Sequence, residues 1–153
     1  MGLSKHLSPA LATSLEMYDG SGLSRKNRVT AELLGSWLGF LYEVEAARGP
    51  FLSSLAEARE NGTLRSRFST NRPVNQVLGK SGYINGVSCL SGYLIAENGH
   101  TIAFSVLVNN IPSNIPVRRA KQLQEEIVLA LDGYLSEVAP ATADETFATP
   151  LER

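Results

Sequence analysis

Lys80, Ser81 and Gly82 stand together in the run QVLGKSGYINGVSCLSGYLIAENGHTIAFSVLVNN, which otherwise reads as sheet. A lysine ammonium and a serine hydroxyl held side by side can grip a carboxylate, the first by charge and the second as a directional donor. Glycine leaves the strand edge bare, so an extended peptide can lie close against it. The backbone N–H of Tyr83 can point at a developing oxyanion. These are the parts needed for acyl transfer at the end of a peptide. The tripeptide by itself is common by chance, and alone it favours the blander reading of a lysine ending a strand before a turn.

Such a constellation needs a rigid edge to stand on. The spacing predicts strands over Val74–Ser81, Val87–Ala96 and Thr101–Val108, with Asn98-Gly99 as the turn of a hairpin. Upstream, the turn-rich segment YDGSGLSRKNRVT leads to Thr30, a candidate helix cap. Leu33, Leu34, Trp37, Leu38, Leu41 and Val44 then recur at helical spacing, and Gly49-Pro50 is expected to end that helix. A short helix is expected over 51–58, followed by an irregular polar segment, 59–73, with a turn at Asn61-Gly62. A last helix is expected over about residues 115–138, with Leu123, Ile127, Ala130, Leu131, Tyr134 and Val138 as its buried stripe. Strands joined by short hairpins are antiparallel. The predicted class is α+β, with helices packed on one face of the sheet.

Composition narrows the function. The chain has 153 residues, 43% of them hydrophobic and 19% charged, with net charge −1. That fits one folded domain and gives no basic face for nucleic acid. Arg65, Arg67, Arg72, Arg118 and Arg119 are scattered and read as solvated surface. The single cysteine, Cys89, excludes an internal disulfide and lies in an apolar run, so it reads as a small core residue. His6 and His100 are far apart, no ligand cluster has metal spacing, and neither a metal nor a cofactor is predicted. No stretch is long and apolar enough to span a membrane, and the first twenty residues lack the apolar core of a signal peptide. As given, the chain is expected to stay in the cytoplasm where it is made.

Four blocks, in order and at matching spacing, resemble the D-alanyl-D-alanine carboxypeptidase/endopeptidase family, the class C low-molecular-mass penicillin-binding proteins. They are DGSGLSRKNRVT (19–30), NGTLRSRF (61–68), GKSGYINGVSCLSGYL (79–94) and NGHTIAFSVLVNN (98–110). The family forms look like Asp-Gly-Ser-Gly-Leu-Ser-Arg, Asp-Gly-Thr-Leu-x-x-Arg, and Lys-Thr-Gly followed by Gly-Val-x-x-Leu-x-Gly-Tyr. The resemblance covers residues 18–138, after a short N-terminal segment, 1–17, and before a tail, 139–153, expected to be disordered. It implies the C-terminal portion of a serine DD-peptidase, β-lactamase-like domain. Lys80 and Ser81 would bind the terminal carboxylate of D-Ala-D-Ala, beside Gly82, and the Tyr83 N–H would be one oxyanion donor. Arg25 falls where the family grips the free end of the stem-peptide side chain, and Ile84 and Asn85 fall on positions lining that pocket. Peptidoglycan stem peptides and β-lactams are the implied ligands, and the parent protein would be periplasmic or extracellular. Ser81 replaces the commoner threonine and keeps the hydroxyl. Asn61 replaces aspartate, read as a turn change without chemical consequence.

One part is missing. The family nucleophile is a serine in Ser-x-x-Lys. Three residues before Lys5, Lys26, Lys80 and Lys121 stand Gly2, Leu23, Val77 and Arg118. The first seventeen residues contain no Ser-x-Asn, and Ser69-Thr70-Asn71 lies in the wrong place for that motif. The chain is therefore expected to be inactive alone. Three readings remain open: the C-terminal piece of a carboxypeptidase, a binding module for peptidoglycan peptides, or half of an enzyme whose other chain carries Ser-x-x-Lys.

Overall fold

The structure is a computed structural model and describes residues 13–137. Thr30 begins the first helix as its sequence predicts: its Oγ1 accepts the Leu33 N–H at 3.1 Å, capping α1 (Ala31–Glu43). The helix stops at Val44, whose backbone turns extended at φ −79 and ψ 99. A second helix, α2 (Glu45–Ser53), starts there and carries Pro50 inside it. Gly49-Pro50 therefore does not end a helix. The proline forgoes one ladder bond within a short helix, and the chain bends five residues earlier than expected.

The predicted short helix over 51–58 is also replaced. After α2 the chain forms a two-residue strand, β1 (Ala56–Glu57), and then a 3-10 turn, Gly62–Leu64. Three longer strands follow: β2 (Gln76–Ile84), β3 (Val87–Ile95) and β4 (Thr101–Val108). All pairs are antiparallel and the order is β1–β2–β3–β4. The Asn98-Gly99 turn forms where predicted, with Gly99 at φ 89 and the Gly99 N–H on the Ala96 carbonyl at 3.1 Å. β2 extends three residues past the predicted strand end, and Gly86 at φ 80 turns it into β3.

Side chains alternate across a strand, and here both faces of the sheet are covered. On one face Tyr93 is fully buried, with its O–H on the Leu38 carbonyl at 2.8 Å and its ring 5.6 Å from Tyr42 and 6.3 Å from Phe51. That face belongs to α1 and α2. Burial, and then the nearby Tyr42, push the Tyr93 hydroxyl up to about 12, so it stays a neutral donor. On the other face Leu90, Leu94 and Phe104 pack with Val128 and Leu135 of α3 (Val117–Glu137). The expected single helical face is thus two, because Tyr93 and Leu94 both need covering.

The buried stripe of α3 is Ala120, Gln124, Val128, Asp132 and Leu135. Leu123 and Tyr134, expected inside, are 46% and 63% exposed, and Ala130 is exposed too. Leu131 does pack against the core. Two polar residues take inward places because they are fully partnered. Asp132 accepts the Val74 and Asn75 N–H groups at 2.7 and 3.0 Å, and Gln124 donates to Ser88 Oγ at 3.2 Å. Among the described residues every buried side-chain nitrogen and oxygen has a partner. Val138 and the tail expected to be disordered lie outside the described residues. Also among the described residues, no helix is long and apolar enough to cross a membrane.

Gly133 is exposed on α3, and a Cβ there would meet nothing within 4 Å. Gly133→Ala should therefore stabilise the chain by about 0.5–1 kcal/mol through the backbone entropy of the unfolded state. A thermal melt that falls instead of rising would show that α3 needs the glycine.

Candidate functional site

Lys80, Ser81, Gly82 and Tyr83 lie within β2, not at its end. β1 pairs only with Leu78 and Gly79, so among the described residues no strand pairs with the part of β2 beyond them, which leaves an open edge. The Val77 carbonyl accepts the Ala58 N–H at 2.9 Å, so it points away from β3. Backbone groups alternate in direction along a strand. Ser81 and Tyr83, two and three pairs further on, therefore turn their N–H and C=O groups to the same side, the open edge. Lys80 Nζ agrees with this: it curls onto the Ser81 carbonyl at 2.8 Å. A cation, a hydroxyl-bearing residue and a backbone donor thus share one edge.

Arg25 reaches this region from a loop built to hold it. Asp19 gathers the loop onto its carboxylate: Asn27 Nδ2 at 2.8 Å, the Ser24 N–H at 2.9 Å, Ser21 Oγ at 3.0 Å and the Gly22 N–H at 3.1 Å. These donors, Asn27 first, hold the carboxyl below its ordinary value of 3.8, against an opposing push from partial desolvation. A lowered folded value means the loop's contribution is complete above the ordinary value and is lost as pH falls through the depressed one. Arg28 is tied in by a backbone bridge to Glu16 and donates to the Arg25 carbonyl at 2.9 Å. Arg25 then donates from Nη2 to the Asn85 carbonyl at 2.6 Å. Loop and hairpin are clasped across sixty positions of sequence.

Between them lies a cavity of about 520 Å³, lined among others by Arg25, Arg28, Gly82, Tyr83, Ile84 and Cys89. The structure thus brings Arg25 together with Gly82, Tyr83 and Ile84. Lys80 and Ser81 do not line this cavity but lie further along the same strand edge. Asn85 contributes its carbonyl, held by Arg25. Cys89 is half-buried and faces the cavity opposite Gly82, instead of filling the core, because Gly82 has no side chain to cover it. Burial pushes its thiol up, away from reactivity.

Two residues of the NGTLRSRF block carry more than the sequence reading assigned them. Thr63 Oγ1 accepts the Ser81 hydroxyl at 2.8 Å. Arg67, read as solvated surface, is 5% exposed and pairs with Glu125. Asn61 keeps to the turn, where its Oδ1 accepts the Glu57 N–H at 3.0 Å, a bond that an aspartate oxygen could accept as well. Only the recurrence of that block in the family resemblance hinted at any of this.

The model of the D-Ala-D-Ala carboxypeptidase 3 (S13) family matches residues 8–132. The chain belongs to the D-Ala-D-Ala carboxypeptidase family. It is 34% identical over 138 residues to a D-alanyl-D-alanine carboxypeptidase of Actinomadura sp. (strain R39), covering 84% of this chain and 24% of that one. It is 35% identical over 112 residues to penicillin-sensitive carboxypeptidase A of Dictyostelium discoideum, covering 68% of this chain and 21% of that one. The fold matches the crystal structure of penicillin binding protein 4 from Haemophilus influenzae with a TM-score of 0.67 and 25% identity, over 77% of this chain and 27% of that one. The same protein complexed with a β-lactam matches equally well, at a TM-score of 0.67. The chain therefore spans about a quarter of the length of these family members.

Proposed function

We propose that this chain is the lysine-strand portion of a serine-type D-Ala-D-Ala carboxypeptidase. It would hold the D-alanyl-D-alanine end of a peptidoglycan stem peptide and leave bond cleavage to a nucleophile outside this sequence. One observation carries the reading: Lys80, Ser81 and the Tyr83 N–H share the open edge of β2, with Arg25 across the adjoining cavity. In this reading the peptide lies along β2 as an added strand. Lys80 releases the Ser81 carbonyl and meets the terminal carboxylate, joined by the Ser81 hydroxyl. Gly82 keeps the approach clear. The Tyr83 N–H faces the scissile carbonyl oxygen as charge develops there. Arg25, with Ile84 and Asn85 beside it, receives the distal end of the peptide. β-Lactams, which bind a relative, would occupy the same edge. Peptidoglycan lies outside the cytoplasm, so the working protein would be exported.

No lysine of the sequence has a serine three residues before it, and loss of the nucleophile alone costs many orders of magnitude in rate. Purified chain incubated with a fluorescent penicillin should therefore show no band on a denaturing gel. A band that survives denaturation would mean that one of these serines acylates, and this assignment of roles would fall.

A second reading, half of an enzyme completed by further polypeptide, is favoured by the far side of the molecule. Among the described residues β4 ends the sheet, with eight residues, TIAFSVLV, that include no charge and no proline to guard its edge. At 100° per residue, Leu123, Ala130 and Tyr134 leave α3 on the side away from Glu125 and Asp132, which face Arg67 and Asn75. Co-purification with a partner bearing Ser-x-x-Lys, and penicillin labelling of that partner, would distinguish this reading.

A further inference from the structure

We propose that Thr63 is a positioning residue for the carboxylate grip: it orients the Ser81 hydroxyl and, by donating to Ser81 Oγ, leaves the Ser81 hydrogen for a ligand. The inference rests on the proposed role of Ser81. In the structure the Ser81 hydroxyl donates to Thr63 Oγ1 at 2.8 Å. A hydroxyl has one hydrogen and two acceptor lone pairs. Ser81 cannot give its hydrogen to Thr63 and to a carboxylate at once. When a carboxylate arrives, the pair reverses: Ser81 donates to the ligand, and the Thr63 hydroxyl turns to donate to Ser81 Oγ. No bond is lost and no proton leaves either oxygen. The donor facing the ligand is also fixed in direction by the bond behind it.

The turn that carries Thr63 is held on several sides, as a positioning element must be. Leu64, next to it, is fully buried. The Arg59 N–H donates to the Leu64 carbonyl at 3.0 Å, and Asn61 Oδ1 accepts from Glu57 at 3.0 Å. Gly62 sits at φ 53, where a Cβ would come within 2.9 Å of Ala56 Cβ. The glycine thus lets the turn close against β1, beside β2. A conformation that excludes side chains, a cap and a core anchor all converge on one exposed threonine whose hydroxyl meets Ser81.

The test is a binding titration of the full chain, by nuclear magnetic resonance, with an N-acyl-D-alanyl-D-alanine peptide and its C-terminal amide. Wild type should prefer the acid. Thr63→Val should weaken the acid about five- to tenfold, the usual worth of one hydrogen bond between neutral groups, and leave the amide unchanged. Thr63→Ser should restore the affinity. In a Ser81→Ala background Thr63→Val should have no further effect. Thr63→Ala serves as a second deletion should valine disturb the turn, and thermal melts verify folding throughout. Unchanged acid binding in a folded Thr63→Val or Thr63→Ala chain overturns the proposal. So does an equal loss in the Ser81→Ala background, or an equal loss for acid and amide. A wild-type chain that does not distinguish acid from amide defeats the carboxylate-grip reading itself, and the role of Thr63 with it.

Discussion

Gly92→Ala should be among the most damaging single-methyl changes available in this chain. A Cβ on Gly92 would lie 2.0 Å from the Leu78 carbonyl oxygen, 2.6 Å from Gly79 Cα and 2.9 Å from the Leu78 carbonyl carbon. All three are backbone atoms of the neighbouring strand, so no side chain can swing aside. Gly92 pairs with Gly79 in the register, and two glycines facing one another let β2 and β3 come together there. Relieving the clash means moving β2 outward, which breaks ladder bonds on its β3 side and strains the short β1 pair on the other. Overpacking of this kind costs about 3 kcal/mol or more. For a chain of this size that lowers the thermal midpoint by about 10 °C. Circular dichroism melts of Gly92→Ala beside Gly133→Ala make the comparison, since the same methyl is added where a Cβ meets nothing. A Gly92→Ala chain that melts with wild type would mean that the strands are further apart than described. The site lies one residue beyond Gly79, so a folded Gly92→Ala chain should also bind acyl-D-Ala-D-Ala less tightly.

Local rules made much of this legible. Thr30 caps a helix because its hydroxyl reaches the Leu33 N–H, and Asn98-Gly99 turns a hairpin because Gly99 accepts φ 89. The strand that carries Lys80 and Ser81 was legible because a strand alternates at a fixed period, although its end was placed three residues short. What failed was what depends on distant partners. Hydrophobic spacing placed Leu123 and Tyr134 inside α3, yet Gln124 and Asp132 take those inward places. Both are polar, and their burial is tolerable only because Arg67, Ser88, Val74 and Asn75 meet them across the fold. β1 has two residues, too few to show a period. Thr63 and Ser81 are eighteen positions apart, and nothing in either block states that a 3-10 turn will bring their hydroxyls together.

Arg67→Ala carries the second large effect, and it bears on the site through the same block. The guanidinium is 5% exposed and serves three acceptors: the Glu125 carboxylate from Nε, and from Nη2 the Lys121 carbonyl at 2.9 Å and Gln124 Oε1 at 3.1 Å. Gln124, itself fully buried, passes the chain of bonds to Ser88 of β3. Removing Arg67 leaves the Glu125 carboxylate, 21% exposed, without its cation and the Gln124 carbonyl without its donor. Breaking a buried pair from one side costs about 3–5 kcal/mol, where a solvated arginine would cost less than about 0.5. Melts of Arg67→Ala should therefore fall by roughly 10 °C or more. Added salt should narrow the gap to wild type only slightly, because the buried wild-type pair is weakly screened. Arg67→Lys should restore only part, since an ammonium cannot span the same three acceptors in fixed geometry. A melt within a degree or two of wild type would return Arg67 to the solvated surface. The loss should reach function as well. Arg67 anchors the end of the segment that holds Leu64 and Thr63, and with that anchor gone Thr63 should no longer meet Ser81 in one fixed geometry. Even below the melting range, Arg67→Ala should weaken carboxylate binding in the same direction as Thr63→Val, and the two losses should not add.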